Sequence, residues 1–315
     1  MKFGIFDHPK RPKVPVNEIV RVIQSNRVSY SNKDPEIAVV VGGDGTFGYY
    51  GRTLRIPMLF VGSNEKDVLG SKAKLAEVSF NDLSTAIADI KHGNYTLQKR
   101  RMFSVFLKNK NNHGVTSKAA VDVLTDIYIE RGIFAGCIRY YLSVAINKRK
   151  IPNYRPLRKF REYGIGNGVI ICTSFGTLGY YSYPDRIRMY SCNTNNNNDS
   201  HNNTNHESIR AFDDDRIGIC HIIPSFLVRK LDVDEQEEDK KKCRLLQSSY
   251  IRYTIPYEST IKINLLRSAH ARLYGTTRNS RGLVIKDNNE IMIKPSRRTA
   301  KIIRLGFSRR SKVES

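Results

Sequence analysis

At 315 residues the chain is too long for one small core and long enough for two domains. Its 40% hydrophobic and 26% charged residues describe a globular protein, and no apolar run approaches the ~20 residues that cross a bilayer, which argues against a membrane partner. Five widely spaced cysteines without a CxxC pair argue against a disulfide framework and a zinc site, and the net charge of +23 points to polyanions: nucleic acid, a membrane surface or phosphorylated small molecules.

The N-terminus, MKFGIFDHPKRPK, meets a proline and basic residues too soon for a signal peptide, so the expected compartment is the cytoplasm. Lys2–Phe6 then reads as a short strand, and Val16, Ile19, Val20 and Ile23 recur at helical spacing. Ile37–Val41 is a continuous, mostly β-branched run, the pattern of a strand buried on both faces. Gly42–Gly45 breaks it, with a helix expected from about Thr46. Pro57–Gly62 is the next strand. Asn81 is a candidate cap for a helix carrying Leu83, Ala86, Ile87 and Ile90, which Gly93 can stop. Alternating strand and helix implies an α/β, Rossmann-like domain over residues 1–100 with a mainly parallel sheet.

Beyond residue 100 the period changes to two. Phe103, Val105 and Leu107 alternate with their neighbours, and strands are expected at Val121–Ile129, Tyr140–Ile146, Gly168–Cys172, Ile217–Ile223, Thr260–Leu265 and Glu290–Lys294. Residues 101–315 therefore read as a β-rich domain of sandwich type. Residues 192–206 are nearly all polar and 232–242 run from acidic to basic, so both are expected as loops or inserts. Ile302, Ile303 and Leu305 suggest that the extreme C-terminal segment forms a strand able to pack back on the first domain.

Gly42-Gly43-Asp44-Gly45-Thr46 is the first stretch with chemistry. Glycines let peptide N–H groups converge on an anion, and a helix starting just after adds its positive end. Asp44 is unexpected there, because a carboxylate repels phosphate unless it binds a cation or accepts a hydrogen bond from the group being phosphorylated. No GxxxxGK[ST] is present, so this is not a Walker loop.

A GGDGT following a β-branched strand resembles the signature of the NAD kinase family and of the diacylglycerol and sphingosine kinases. Three further stretches are similar to NAD kinase blocks, in order. GSNEKDVLG at Gly62–Gly70 keeps Gly62, Asn64, Leu69 and Gly70 of a Gly-x-Asn-x-Gly-x-Leu-Gly pattern. VLTDIYIERG at Val123–Gly132 resembles the strand with an Asn-acid pair, here Thr125 and Asp126. GNGVIICTSFGTLGY at Gly166–Tyr180 resembles Gly-Asp-Gly entering Thr-Pro-Thr-Gly-Ser-Thr-Ala-Tyr, with Asn167 for the aspartate and Thr173, Gly176 and Tyr180 kept. The lipid kinases usually continue with Asn-Glu soon after the threonine, whereas FGYY follows here.

The resemblance implies transfer of the terminal phosphoryl group of ATP to the 2′-hydroxyl of the adenosine ribose of NAD, with Mg2+ carried by the substrate phosphates rather than by assigned protein ligands. It implies that Asp44 orients that hydroxyl and accepts its proton, while Gly42, Gly43, Gly45 and Thr46 cradle phosphates. Asp126 would hold ribose hydroxyls, since a carboxylate accepts two hydrogen bonds at once. Tyr180 and the Gly176–Gly179 loop, with Leu178, would line the adenine side; Asn64, Thr125, Asn167 and Thr173 complete the implied NAD contacts. A homo-oligomer, dimer or tetramer, is likewise implied only by the resemblance. Read without it, Asp126 is a solvent-facing strand residue, Tyr180 packs in a core as readily as it binds, Asn64 is a turn residue, and His113 and His221 are structural or exposed.

Lys148–Arg161 carries seven Lys or Arg with Tyr154 and Phe160 between them, and Ser296–Lys312 is also basic. Such stretches suit nucleic acid or a wall around polyphosphate, but the plainest reading is solvated chain. The alternatives to an NAD kinase are a GGDGT-type kinase acting on another hydroxyl, of a lipid or a nucleoside derivative, and a non-catalytic nucleotide- or nucleic-acid-binding relative. Nucleic acid ranks below NAD and ATP as a partner.

Overall fold

β-Branched runs nucleate the first layer. The structure, a computed structural model, describes residues 1–8, 12–63, 73–111, 114–117, 120–133, 136–146, 159–185, 212–231, 245–247, 250–268, 270–276, 281–287 and 289–306. Asn64, His113, both inserts at 192–206 and 232–242, and most of the basic run Lys148–Arg161 lie outside these residues. The chain forms two compact units: Met1–Arg101 together with the chain from Thr299, and Met102–Arg298.

The first unit runs β1 (Lys2–Phe6), α1 (Val16–Ser25), β2 (Ser29–Tyr30), β3 (Ile37–Val41), α2 (Asp44–Thr53), β4 (Met58–Gly62), β5 (Val78–Ser79) and α3 (Leu83–Lys91). Strands β2, β1, β3 and β4 lie side by side, all parallel, and β4 also pairs in parallel with β5 and with Ile302 of the C-terminal strand. Every residue of β3 and β4 is buried, as a parallel sheet covered on both faces requires. Alternation sorts the faces. Val39, Val41, Leu59 and Val61 join Ile19 and Ile23 of α1 and Leu83, Ile87 and Ile90 of α3 in one core. On the other face Phe60 of β4 stacks with Phe47 of α2, ring centroids 4.5 Å apart, a contact worth about 0.5–1.5 kcal/mol beyond its area. Helices on both faces of a parallel sheet make a doubly wound layer. Arg304 bonds Glu77 at 2.5 Å and Gln98 at 2.7 Å, which holds the returning C-terminal strand.

Two local expectations change. Asn81 falls within a 3-10 turn, Phe80–Asp82, so the position ahead of α3 is Asp82, and its side chain makes no cap bond. Gly93 does end α3, at φ +79°. Val121–Ile129 is not one strand but two, broken at Leu124 and Thr125.

The second unit takes in most of β6 (Tyr95–Asn111), then β7 (Gly114–Ser117), β8 (Val121–Val123), β9 (Asp126–Glu130), β10 (Ile138–Ile146), β11 (Lys159–Gly166), β12 (Gly168–Cys172), β13 (Arg216–Ile222), β14 (Phe226–Leu231), β15 (Leu245–Gln247), β16 (Arg252–Pro256), β17 (Ser259–Arg267), β18 (Arg272–Tyr274), β19 (Leu283–Val284) and the start of β20 (Asn289–Leu305). One antiparallel sheet orders β15-β14-β11-β10-β17-β20 and the other β16-β13-β12-β9-β18-β19. Inward residues of both, such as Leu142, Val144, Ile261 and Ile263 against Ile127, Ile129, Val169 and Ile219, form one core. This is a β-sandwich with alternate residues facing in.

Candidate functional site

The glycine loop begins where β3 ends. Gly42 takes φ +151° and gives its N–H to the Val61 carbonyl at 3.0 Å; a side chain there would meet Thr46 Oγ1 at 2.8 Å. Gly43 is extended, and its carbonyl accepts the Thr46 N–H at 2.9 Å and the Phe47 N–H at 3.1 Å. Those two bonds start the helix at Asp44, two residues earlier than the periodicity suggests. Asp44 and Gly45 thus occupy the first turn of α2, where the helix dipole favours an anion. A methyl group on Gly45 would touch nothing within 4 Å, so the space beside the turn is open. Asp44 is not turned loose into that space. Its Oδ1 accepts the Leu75 N–H at 3.0 Å, which orients the carboxylate.

The second unit builds a separate constellation at one end of β9 and β12. Leu124 and Thr125 break the strand, and their carbonyls take the Thr173 hydroxyl at 2.5 and 3.1 Å; the Thr173 N–H also donates to the Thr125 carbonyl at 2.8 Å. Thr173 is buried and so clamps the two loops together. Gly176 passes so close that a Cβ would lie 2.4 Å from the Thr125 carbonyl oxygen. At Gly179 a Cβ would lie 3.5 Å from Asp126 Oδ2, so this glycine keeps the chain close to the carboxylate. Leu178 is 45% exposed.

Asp126, Tyr128 and Glu130 alternate with buried Ile127 and Ile129, so they share the face of β9 that points away from the sandwich core. Tyr180 packs edge-on to Tyr128 at 5.2 Å and gives its hydroxyl to Glu130 at 3.3 Å, while Tyr274 stacks on Tyr128 at 4.7 Å. Burial, with Asp126 and Glu130 beside it, pushes the Tyr128 hydroxyl up to about 12; burial and Glu130 push Tyr180 up as well. Both phenols remain neutral donors at physiological pH. Asn167 is elsewhere. It precedes β12, so at about 3.3 Å per residue it lies roughly 20 Å along the strand from Thr173; there its carbonyl accepts the Arg131 N–H at 2.8 Å.

The segment carrying Thr173 to Tyr180 is held firmly. Ser174 bonds Asp214, Tyr181 is buried, and Arg252 grips Asp185 through two bonds of 2.8 and 2.7 Å. Cys172 and Cys220 are free thiols pushed up by burial, and therefore unreactive. His221 is fully buried. Its ring nitrogens meet Tyr140 Oη at 2.7 Å and Glu162 Oε2 at 3.0 Å, and Glu162 Oε1 takes Arg229 at 2.6 Å. Burial pushes Glu162 up, but the hydrogen bond and charge of His221, the Arg229 charge and the Tyr253 hydroxyl outweigh it and hold the carboxyl below its ordinary value. This ionic cluster sits inside the sandwich, away from the β9 face just described.

No family model matches the chain. Among curated relatives, the NAD kinase of Clostridium kluyveri is 32% identical over 146 residues, 46% of this chain and 44% of that protein. That of Lachnoclostridium phytofermentans is 31% identical over 156 residues, 49% and 48% of the two chains. A Thermoanaerobacter NAD kinase is 26% identical over 185 residues, 56% of each. The chain spans about half the length of the curated relatives it matches. In fold it is similar over nearly its whole length to yeast NADH kinase complexed with NADH, with TM-score 0.61, 13% identity and coverage of 98% of this chain and 84% of that one. It is also similar to an NAD kinase from Archaeoglobus fulgidus in complex with ATP, with TM-score 0.54, 14% identity and coverage of 96% and 93%.

The chain is thus similar to NAD kinases over about half its length in sequence and over nearly its whole length in fold. The α/β layer and the antiparallel sandwich agree with the fold of NAD kinases. Among the residues that NAD kinase motifs pick out, the structure gathers Thr125, Asp126, Thr173, Gly176, Gly179 and Tyr180, and sets Asn167 apart. Tyr128, Glu130 and Tyr274 join that cluster without a motif; the signal for the first two was the two-residue period Asp126-Tyr128-Glu130. Leu75 had no signal, because it acts through its backbone.

Proposed function

We propose that the protein is an ATP-dependent NAD kinase, moving the γ-phosphoryl group of ATP to the 2′-hydroxyl of the adenosine ribose of NAD. The observation that carries this reading is the GGDGT turn: a carboxylate fixed by the Leu75 amide stands in the same first helical turn as anion-favouring amides and the open space at Gly45. Such a turn can serve a phosphate and a hydroxyl at once. The likeness to proteins named NAD kinase, and to structures that hold NADH and ATP, supports the choice of substrates.

In this reading Gly42, Gly43, Gly45 and Thr46 shape the loop that takes the phosphates of ATP. Asp44 accepts the 2′-hydroxyl proton as that oxygen bonds the γ-phosphorus and the bond to the β-phosphate oxygen breaks, leaving ADP. Asp126 holds ribose hydroxyls, and Tyr180 with Gly176–Gly179 and Leu178 flanks the adenine. Among the described residues no three His, Cys, Asp or Glu side chains gather to hold a metal ion. In this reading the divalent cation arrives on the ATP phosphates, whose charge it would offset. A homo-oligomer in the cytoplasm belongs to the same proposal; no helix of the described residues is long and apolar enough to cross a membrane.

The test is to incubate purified protein with ATP and magnesium and either NAD or NADH, then read NADP or NADPH with a specific dehydrogenase. Phosphorylated dinucleotide is the expected product. Binding of both substrates without product would sink the catalytic reading and leave a nucleotide-binding relative.

A further inference from the structure

The phosphoryl-transfer reading leaves one broad surface unused: the outer face of the β15-β14-β11-β10-β17 sheet. On β10, buried Tyr140 and Leu142 alternate with outward Arg139 and Tyr141; on β11, buried Phe160, Glu162 and Gly164 alternate with outward Lys159, Arg161 and Tyr163. Register then aligns the outward residues. Tyr141 faces Tyr163, Arg161 faces Lys230, and Ser143 lies between Arg161 and Lys262. Tyr141, Tyr163 and Phe226 form a row across three strands, with centroids 5.5 and 5.9 Å apart. The rings are tilted by 50° and 66°, so no ring closes over the face of the next. Phe226 is 46% exposed and Tyr141 36%. Arg161 stands 5.7 Å from the Tyr141 ring.

Among the described residues the charge on this face has one sign. Along β10, β11, β14 and β17 the carboxylate among the described residues is Glu162, which points into the core. Glu290 on the adjoining β20 is almost buried and paired with Lys108 at 3.7 Å. The basic run in the sequence delivers Lys159 and Arg161 here. Exposed aromatic faces ringed by cations recognise a chain that carries both phosphates and accessible bases. A duplex offers phosphates but keeps its base faces stacked. A second copy packed through a two-fold would set each cation against like charge.

We propose that this face binds single-stranded nucleic acid, with bases stacked on Tyr141, Tyr163 and Phe226 and phosphates paired with Arg161, Lys230 and Lys262. It is an activity separate from phosphoryl transfer.

Fluorescence anisotropy with labelled oligo-dT and oligo-rU of about 16 nucleotides, the upper end of the site sizes of single-strand-binding OB-folds, tests it. Single strands should bind more tightly than a duplex of equal length, and saturating ATP plus NAD should not displace them. Tyr141→Ala and Phe226→Ala, both exposed, should each weaken binding about 10-fold. Lys230→Gln with Lys262→Gln should reduce the slope of log affinity against log salt by roughly 1.4, since a single strand gives about 0.7 per phosphate neutralised. Circular-dichroism melts confirm that the variants fold. Equal binding of duplex with no effect of the ring variants would overturn the proposal, leaving charge alone. Displacement by ATP would overturn it in favour of the nucleotide site. So would ring-dependent binding to phosphatidylserine vesicles, or ring-dependent self-association in sedimentation, without ring-dependent oligonucleotide binding. Failure of NADP synthesis bears on none of these readouts.

Discussion

Asp44→Asn exchanges one carboxylate oxygen for an amide and removes one charge from the first turn of α2. The geometry that holds the side chain survives, because the asparagine Oδ1 can still accept the Leu75 N–H now bonded at 3.0 Å. The structural loss is the interaction of a negative charge with the helix N-terminus, about 0.3–1 kcal/mol, or a fall of roughly 1–4 °C in Tm. The chemical loss is larger. A general base contributes about 10²–10⁴-fold, or roughly 3–5.5 kcal/mol of barrier, so kcat should drop by that factor while KM for NAD and ATP stays near its starting value. Asp44→Ala should lose the same rate and, in addition, about 1 kcal/mol of stability, since the Leu75 amide loses its acceptor. The assay couples NADP formation to an NADP-specific dehydrogenase, alongside a thermal melt of each variant. A raised KM with unchanged kcat would refute the reasoning by making Asp44 a ground-state binding residue, and a collapse of the Asn variant's melt would make it a structural one.

Gly45→Ala should melt with the parent protein, because its methyl group meets nothing within 4 Å, and yet weaken ATP binding measured by calorimetry if phosphates approach that point. A lowered Tm would contradict the open space at Gly45, and unchanged ATP affinity would place the phosphates elsewhere. Gly176→Ala drives a Cβ to 2.4 Å from the Thr125 carbonyl oxygen and should displace the Asp126 loop, raising KM for NAD more than for ATP; equal effects on both substrates would contradict the assignment. Glu162→Gln should destabilise by about 3–5 kcal/mol at pH 7 by leaving Arg229 and His221 facing a neutral amide inside the sandwich. Because the folded carboxyl sits below its ordinary value of 4.5, its contribution is complete above that pH and fades as pH falls through the lower folded value. Denaturant melts of the two proteins should therefore converge in acid, and a gap that widens there would reverse the sign.

How far the site was legible depends on the range of the interactions. Local ones read well. The β-branched run Ile37–Val41 is a strand buried on both faces, Val16, Ile19, Val20 and Ile23 do lie on one helix, and Gly93 ends α3 because its left-handed conformation suits glycine. The start of α2 was missed by two residues because it depends on where the Gly43 carbonyl points. Asp126 read alone was a solvent-facing strand residue. Strand pairing adds that Tyr180 and Tyr274 pack on Tyr128, its neighbour on the same face of β9, and that Gly179 in the segment after Thr173 passes close to its carboxylate.

By itself the sequence determined the two kinds of layer, since periods of 3.6 and two residues follow from how each backbone exposes its side chains. It also determined the glycine turn, where Gly42 takes a positive φ and has no room for a side chain. Tertiary structure alone decided which motif residues share a place. Asn167 and Thr173 are near in sequence but sit at opposite ends of a strand, while Thr125 and Gly176 are distant in sequence and touch. It also turned His221 into a buried partner of Glu162 and set three rings in one row on the sandwich surface. Strand register makes those neighbours, and register comes from pairing between segments far apart in the chain.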